Sequence, residues 1–297
     1  MNVLILLRCI IVCSLALFFT IPGASFADDS ISSSTTTAQE PRPAGTVRTG
    51  TQVEFDRAYF SGYIADFKHI LTSPARWDSS DWLTATLVSG AAIGLYDNDA
   101  KIQKWVLDHK TTTTNNIGDN VTYLGHGKFT PVVLGGMYLY GHLTDDGKMK
   151  STVLLSVESF ILTGAFTQTL KYAGHRHRPY AEDGSREWDG PKFGGNGSYM
   201  SFPSGHASSA FAVATVIASE YDNVVVPVLA YGVAAITAMN RVTHNAHWTS
   251  DVFVGSTIGY VTGKAVVASH QGVKENRLSL VPLVEGKDLG AVLVYKF

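Results

Sequence analysis

Residues 240–251 read Asn240-Arg-Val-Thr-His-Asn-Ala-His247-Trp-Thr-Ser-Asp251, set between one long apolar run and the next. Read as a helix from Ala246, the stretch puts His247 and Asp251 at i and i+4, on one face. A carboxylate there accepts a hydrogen bond from one imidazole nitrogen. That fixes the tautomer and leaves the other nitrogen as a nucleophile or base. Arg241, six residues before His247, falls on the loop or turn feeding the same helix, a fixed cation placed to meet an anion. A histidine, an orienting carboxylate and a cation together suit chemistry on a phosphate.

Outward from this stretch the chain is a series of apolar runs: 82–96, 130–143, 151–170, 207–219, 223–239 and 252–268. They are rich in Ala, Gly, Ser and Val, and helices with such small faces approach closely. The expected fold is all-α, a helical bundle. A spanning helix needs about 20 apolar residues. Most of these runs are shorter and Glu158 interrupts one, so the reading favours a water-soluble or membrane-surface bundle over integral spans. Before the runs, Asp56 to Leu71 carries Tyr59, Tyr63, Phe67 and Ile70 near helical spacing. Asp78-Ser79-Ser80-Asp81 offers N-caps to the run from Trp82. Asp97 to His109 is expected as a separate polar helix, and the Thr run with Asn-Asn-Ile-Gly-Asp as a loop.

The ends differ in character. Residues 1–27 have an apolar core, Pro22-Gly23 and small residues Ser25 and Ala27, the pattern of an export leader cleaved after Ala27. Its only positive charge, Arg8, sits deep, and an uncleaved anchor is the competing reading. Both cysteines, Cys9 and Cys13, fall inside it, so a mature chain has neither disulfide nor thiolate metal site. Residues 28–50, Ser/Thr-rich with two prolines, read as a disordered linker. Residues 51–272 form the expected helical domain. Residues 273–297 alternate in the manner of strands about Glu285-Gly286-Lys287, an expected short β-hairpin packed on the bundle. Of all residues 45% are hydrophobic and 16% charged, with net charge −2. No basic field points to nucleic acid.

Two further stretches carry chemistry. Lys171-Tyr-Ala-Gly-His-Arg-His-Arg178-Pro179 closes the run from Ser151, and the proline biases Arg178 to extended backbone. Pro203-Ser204-Gly205-His206 precedes the run from Ala207. Free N–H groups at a helix start point at an anion, Gly205 permits close approach, and Ser204 adds a hydroxyl. Taken singly, each has a plainer reading: a basic residue at a helix end is usually a dipole partner, and Ser-Gly-His before a helix is usually a cap.

Together, in this order, they form K-x6-R-P, P-S-G-H and a variant of S-R-x5-H-x3-D. Over roughly Trp82 to Ala268 the sequence resembles the type 2 phosphatidic acid phosphatase and haloperoxidase superfamily. Its Ala-His-Trp-Thr-Ser-Asp segment is similar to bacterial class A non-specific acid phosphatases. Asn240 stands where the pattern has Ser. The resemblance implies that Lys171, Arg178 and Arg241, with Ser204 and the Gly205 N–H, bind the phosphoryl oxygens. It implies that His247 attacks phosphorus to form a phosphohistidine, that Asp251 orients His247, and that His206 protonates the leaving alcohol and then activates water. It implies the bundle of the acid phosphatase and haloperoxidase type. No cofactor or metal is required, since three side-chain cations and a helix terminus occupy that role.

The resulting expectation is an exported phosphatase of the periplasm or cell envelope, associated with a membrane. It acts on phosphorylated lipids, lipid pyrophosphates or small phosphate esters, with apolar lining near Trp248, Tyr172 and Tyr180. A vanadate-dependent haloperoxidase and a non-catalytic phosphate-binding envelope protein are the alternatives. Arg176 reads as a solvated turn residue, with contact to a lipid headgroup or a second phosphate as the alternative; His175 and His177 lack a Cys or acidic partner at ligand spacing for a metal, and His126 reads as a loop residue at the rim. The Gly-rich loop from Tyr180 to Met200, with Trp188, Phe193 and Tyr199, is expected to lid the site.

Overall fold

The structure, a computed structural model, describes residues 53–55, 57–122, 128–194, 196–271, 278–285 and 288–295. The expected leader and linker, and His126, lie outside the described residues. The helices in chain order are α1 (Arg57–Thr72), α2 (Ser79–His109), α3 (Thr112–Thr122), α4 (Thr130–Leu143), α5 (Gly147–Gly174), α6 (Gly205–Glu220), α7 (Val225–Thr243) and α8 (Thr249–Gln271). The described part that carries the motifs is helical. Beyond it, β1 (Leu278–Glu285) pairs antiparallel with β2 (Asp288–Tyr295).

The start signal read from sequence at Asp78 to Asp81 acts as expected. Asp78 caps α2 through its carboxylate and Asp81 returns the bond to the cap N–H, a reciprocal box worth about 1 kcal/mol. Asp146 caps α5 by accepting from the Met149 N–H. His175 ends α5 in the left-handed conformation, its N–H donating to the Lys171 carbonyl.

Three boundaries differ from expectation. Residues 79–109 form one helix rather than two, because no Gly or Pro interrupts Tyr96-Asp97 and the polar half has a buried face. Asp99, Gln103 and Val106 lie on it. Gln103 Nε2 donates to the Val242 carbonyl at 3.0 Å and to Asn245 Oδ1 at 2.8 Å. Residues 112–122 are helical rather than a loop. Here tertiary contact overrides weak propensity: a Cβ at Gly118 would stand 2.5 Å from Asn240 Nδ2, so α3 lies directly on α7. Arg241 belongs to the last turn of α7, not to a loop.

α6 is the central helix. Residues from Ala207 to Val216 are mostly buried. Its one side packs Ala207, Phe211 and Ala214 against Val106, Ala234, Ala238, Val242 and Val252. Its other side packs Val216 against Leu155, Leu162, Val266 and Val267, with Tyr63, Phe67 and Ile70 of α1 beyond. α8 meets α6 through glycines one turn apart. A Cβ at Gly255 would lie 2.5 Å from the Ser204 carbonyl, at Gly259 2.1 Å from the Ser208 carbonyl, and at Gly263 2.8 Å from Thr215 Cβ. The two backbones can be this close only without side chains between them. This contact seats the start of α8 against the start of α6, where the three motifs meet.

α5, α7 and α8 are each long and apolar enough to cross a membrane, longer than the sequence runs suggested. Each extends past its apolar run by a cap or a polar turn. Phe60, Ile64, Leu83, Leu87, Ile93, Val132, Leu139 and Leu229 stand exposed on the bundle, and so much outward apolar surface is a mark of a membrane or partner-facing protein.

Candidate active site

The site is built where the last turn of α5, the loop 175–204, the first turn of α6, the last turn of α7 and the start of α8 come together. His247 precedes α8 rather than lying within it, and its own N–H donates to the Arg241 carbonyl at 3.2 Å. It is buried, 2% exposed. Its Nδ1 faces the Ser201 carbonyl at 2.7 Å. A carbonyl only accepts, so Nδ1 carries the proton and Nε2 carries the lone pair. Burial lowers the pKa of His247 well below the ordinary imidazole value, and the neighbouring charges of Lys171, Arg178 and His206 lower it further. The ring is neutral and its free nitrogen nucleophilic.

Asp251 does not reach His247 directly. Its Oδ2 lies 4.0 Å from Nδ1, beyond a hydrogen bond. It instead accepts from Ser201 Oγ at 2.5 Å and from the Trp248 N–H at 3.0 Å. Ser201 therefore joins the two: its hydroxyl binds the carboxylate and its carbonyl holds the imidazole. The i, i+4 spacing brought Asp251 near His247, but the chain kinks at His247 before α8 begins, which turns the ring onto Ser201.

Arg176 corrects the sequence reading most sharply. It is 0% exposed. Its Nη1 donates to Asp251 Oδ1 at 2.6 Å and to Ser250 Oγ at 2.7 Å. Its Nη2 donates to Asp99 Oδ2 at 2.8 Å and to the Ser185 carbonyl at 2.7 Å. Asp99 in turn accepts from Ser250 N at 2.9 Å. The guanidinium is also covered by Tyr96, Trp188 and Trp248 at 4.7, 5.3 and 5.6 Å. One cation between two carboxylates ties α2, the loop and α8 together under the site. No sequence period marks a loop residue as buried; the buried face of α2 bearing Asp99 was the available signal.

Two of the expected anion-binding cations meet at one carbonyl. Lys171 Nζ donates to the Met200 carbonyl at 2.6 Å, and Arg178 Nη2 reaches the same oxygen at 3.5 Å. Arg178 Nε donates to the Gly197 carbonyl at 2.7 Å. Ser204 is the N-cap of α6 but does not use its side chain to cap. Its Oγ is buried with no hydrogen-bond partner among the described residues, and its N–H donates to the Asp251 carbonyl at 3.0 Å. Gly205 and His206 open α6 beside it. Asn240, at the family's Ser position, accepts from Arg241 and donates to Asp119 Oδ1 at 3.1 Å. It bridges α3 to the cation, a larger residue doing a longer-range job.

The loop 175–204 is folded onto the end of α5. His177 N, Asp189 N and Ser201 N donate to the carbonyls of Glu187, His175 and Arg176. Trp188 packs where a Cβ at Gly174 would be 2.8 Å from its ring, and its Nε1 donates to Tyr96 Oη at 3.1 Å. His177 lies between Asp183 at 2.5 Å and Asp189 at 3.2 Å, so it does have acidic partners, and they come from the loop. His175 Nε2 faces the Gly194 carbonyl at 2.8 Å, so the two histidines do not share a site. Trp248 is buried and donates to the His177 carbonyl at 2.8 Å, so it supports the site rather than lining it. Tyr180 remains exposed, with Arg178 over its ring. Phe193, at the loop's outer edge, is 100% exposed.

Residues 152–275, which contain all three motifs, match the model of the PAP2 superfamily. The lipid A 1-phosphatase of Porphyromonas gingivalis is 30% identical over 198 residues, 58% of this chain and 40% of that protein. The chain thus spans less than half the length of this relative. Among solved structures, Aquifex aeolicus LpxE is similar at TM-score 0.46 and 21% identity, over 57% of this chain and 94% of that one. The PAP2-type phosphatidylglycerolphosphate phosphatase of Bacillus subtilis is similar at TM-score 0.42 and 18% identity, over 74% and 98%.

Proposed function

We propose that this protein is a membrane-associated phosphatase that hydrolyses the phosphate of a phosphorylated lipid through a phosphohistidine on His247. The observation that carries the reading is the His247 ring. It is neutral, its Nδ1–H is fixed on the Ser201 carbonyl at 2.7 Å, which leaves the lone pair on Nε2, and Lys171 and Arg178 are near enough to lower its pKa. The match of residues 152–275 to the PAP2 superfamily model and the likeness to a lipid A 1-phosphatase support the substrate class.

In the first step Nε2 attacks phosphorus in line, the bond from phosphorus to the lipid oxygen breaks, and His206 gives that oxygen its proton. Lys171, Arg178 and Arg241, with Ser204 Oγ and the Gly205 N–H, hold the three equatorial oxygens, where the charge of the transition state lies. In the second step His206 takes a proton from water, the hydroxide attacks phosphorus, and the N–P bond breaks to release phosphate and neutral His247. Asp251 keeps the ring in place through Ser201. The three cations supply the charge a metal would otherwise provide, so turnover is independent of added metal.

The three apolar helices support placement in the bilayer with the motif end at its surface, where Phe193 and Tyr180 meet the lipid. The export leader over residues 1–27, linker 28–50, helical domain 51–272 and hairpin tail 273–297 complete the proposed organisation, in the periplasm or envelope. Phosphate release by the purified chain, with EDTA present, tests the reading on a lipid phosphate, a lipid pyrophosphate and a soluble monoester. The expected result is preference for a lipid and loss of at least 10³-fold on His247→Ala, since removing a nucleophile leaves only binding and charge stabilisation. Equal turnover in the variant overturns it.

A further inference from the structure

A second group of ionisable side chains lies at the other end of the bundle. Glu158, the residue that interrupts the apolar run of α5, is thirteen residues before Lys171, about 20 Å along the helix. It is 0% exposed, and neither carboxylate oxygen has a hydrogen-bond partner among the described residues. Asp66 of α1 and His270 of α8 face it, and one donor atom from each lies within 4.8 Å of the others. Glu158 Oε2 is 3.5 Å from His270 Nε2. Three helices distant in sequence thus place a glutamate, an aspartate and a histidine around one point.

The hydrogen bonds around the group are those of a ligand set. His270 Nδ1 faces the Val266 carbonyl at 3.0 Å, so the proton sits there and Nε2 presents its lone pair to Glu158. A metal-bound histidine characteristically gives its other N–H to a carbonyl in this way. Ser269 Oγ donates to Asp66 Oδ2 at 3.0 Å, which fixes the second carboxylate. Two buried carboxylates this close cannot both carry charge unless a proton or a cation lies between them. Ligand bonds of about 2.0–2.2 Å to zinc set donors about 3.3–3.5 Å apart. The Glu158–His270 pair already has that spacing, and a ligand atom of Asp66 lies within 4.8 Å of both residues.

We propose that Asp66, Glu158 and His270 bind one divalent cation of the zinc class, which braces α1 and α8 against α5. The cation is structural and separate from the phosphate chemistry.

The test uses the untagged full chain in detergent, stripped with EDTA and dialysed, then titrated with Zn²⁺ by calorimetry while the thermal midpoint is followed. The expected result is one Zn²⁺ per chain, a raised midpoint, and affinity reduced at least 100-fold in both Glu158→Gln and His270→Gln. His177→Gln, whose ring also meets two carboxylates, should retain binding. Absence of Zn²⁺ binding by the folded wild-type chain overturns the proposal, as does binding unchanged in His270→Gln or lost only in His177→Gln. His270 has a partly exposed side chain at the end of α8, so its variant decides the matter if Glu158→Gln does not fold. Lipid phosphate turnover in His270→Gln should match wild type, so failure here leaves the phosphatase reading standing on its own test.

Discussion

Arg176 Nη1 donates to Asp251 Oδ1 across 2.6 Å, with both side chains wholly buried. The pair ties the loop between α5 and α6 to the first turn of α8. Asp251 then holds Ser201, and Ser201 holds His247. His247 is therefore positioned from beneath by an ionic network rather than by one carboxylate beside it. Asp99 closes the network from α2.

Removing the cation leaves two buried carboxylates without compensation. Arg176→Met should lower stability by about 3–5 kcal/mol, the usual cost of breaking a buried ion pair on one side. Arg176→Lys should not rescue it, because one ammonium cannot serve Asp99 and Asp251 with two separate nitrogens. Denaturant unfolding of the three proteins in one detergent measures this. Wild-type stability in the lysine variant would show that charge alone suffices.

Ser201→Ala removes the hydroxyl bond to Asp251 but keeps the carbonyl that His247 uses. Asp251 retains Arg176 and the Trp248 N–H, so the loss is one hydrogen bond, about 1 kcal/mol, or about fivefold in kcat. KM should stay unchanged, since phosphate contacts are intact. A raised KM with kcat unaltered would place Ser201 among the binding residues instead.

The pH dependence follows from the environment of His247. Burial, then the nearby cations, hold its pKa well below 6.5. The acid limb of kcat/KM should accordingly fall below pH 6.5, and the alkaline limb should follow loss of the proton from His206. Stability carries the same sign. Between the native and unfolded pKa values only the unfolded chain binds this proton, so stability declines as pH drops below about 6.5. His247→Gln should flatten that decline, as unfolding measured between neutral and acid pH would reveal. An identical slope in the variant would assign the effect to other groups.

The glycine row of α8 makes a prediction about fold alone. Gly259→Ala puts a methyl 2.1 Å from the Ser208 carbonyl, with backbone that cannot yield cheaply. A loss of about 1–3 kcal/mol is expected, as for overpacking a core. Gly90→Ala, in the exposed part of α2, meets nothing within 4 Å and should be neutral or stabilising by up to about 1 kcal/mol. Thermal midpoints of the two variants decide it. Equal tolerance at both positions would mean that α6 and α8 are not so close.

The fold class was legible because apolar runs of small residues repeat along the chain, and the cap at Asp78 is a local signal. The convergence of Lys171, Arg178, Ser204, His206 and His247 was legible only through the three motifs and their order, since no periodicity relates residues on different helices. Arg176 was misread because burial of a loop side chain depends on what folds over it, here Trp188, Tyr96 and Trp248. The helix at 112–122 was missed because its Thr and Asn residues favour it weakly, and contact with Asn240 decides it. Asp251 was placed near His247 correctly by spacing, yet its partner was set by the turn before α8. Glu158 stood out as a charge in an apolar run, but its companions Asp66 and His270 come from helices far away in sequence.

The most direct test of the phosphohistidine mechanism is to quench turnover of a ³²P-labelled lipid phosphate within one cycle and map the label. An N–P bond is acid-labile and survives base, so the quench must be alkaline. Label on the peptide containing His247, absent in His247→Ala and still present in wild type with EDTA, is the predicted result. Rapid wild-type turnover with no labelled protein, or with label on another residue, would contradict covalent catalysis by His247.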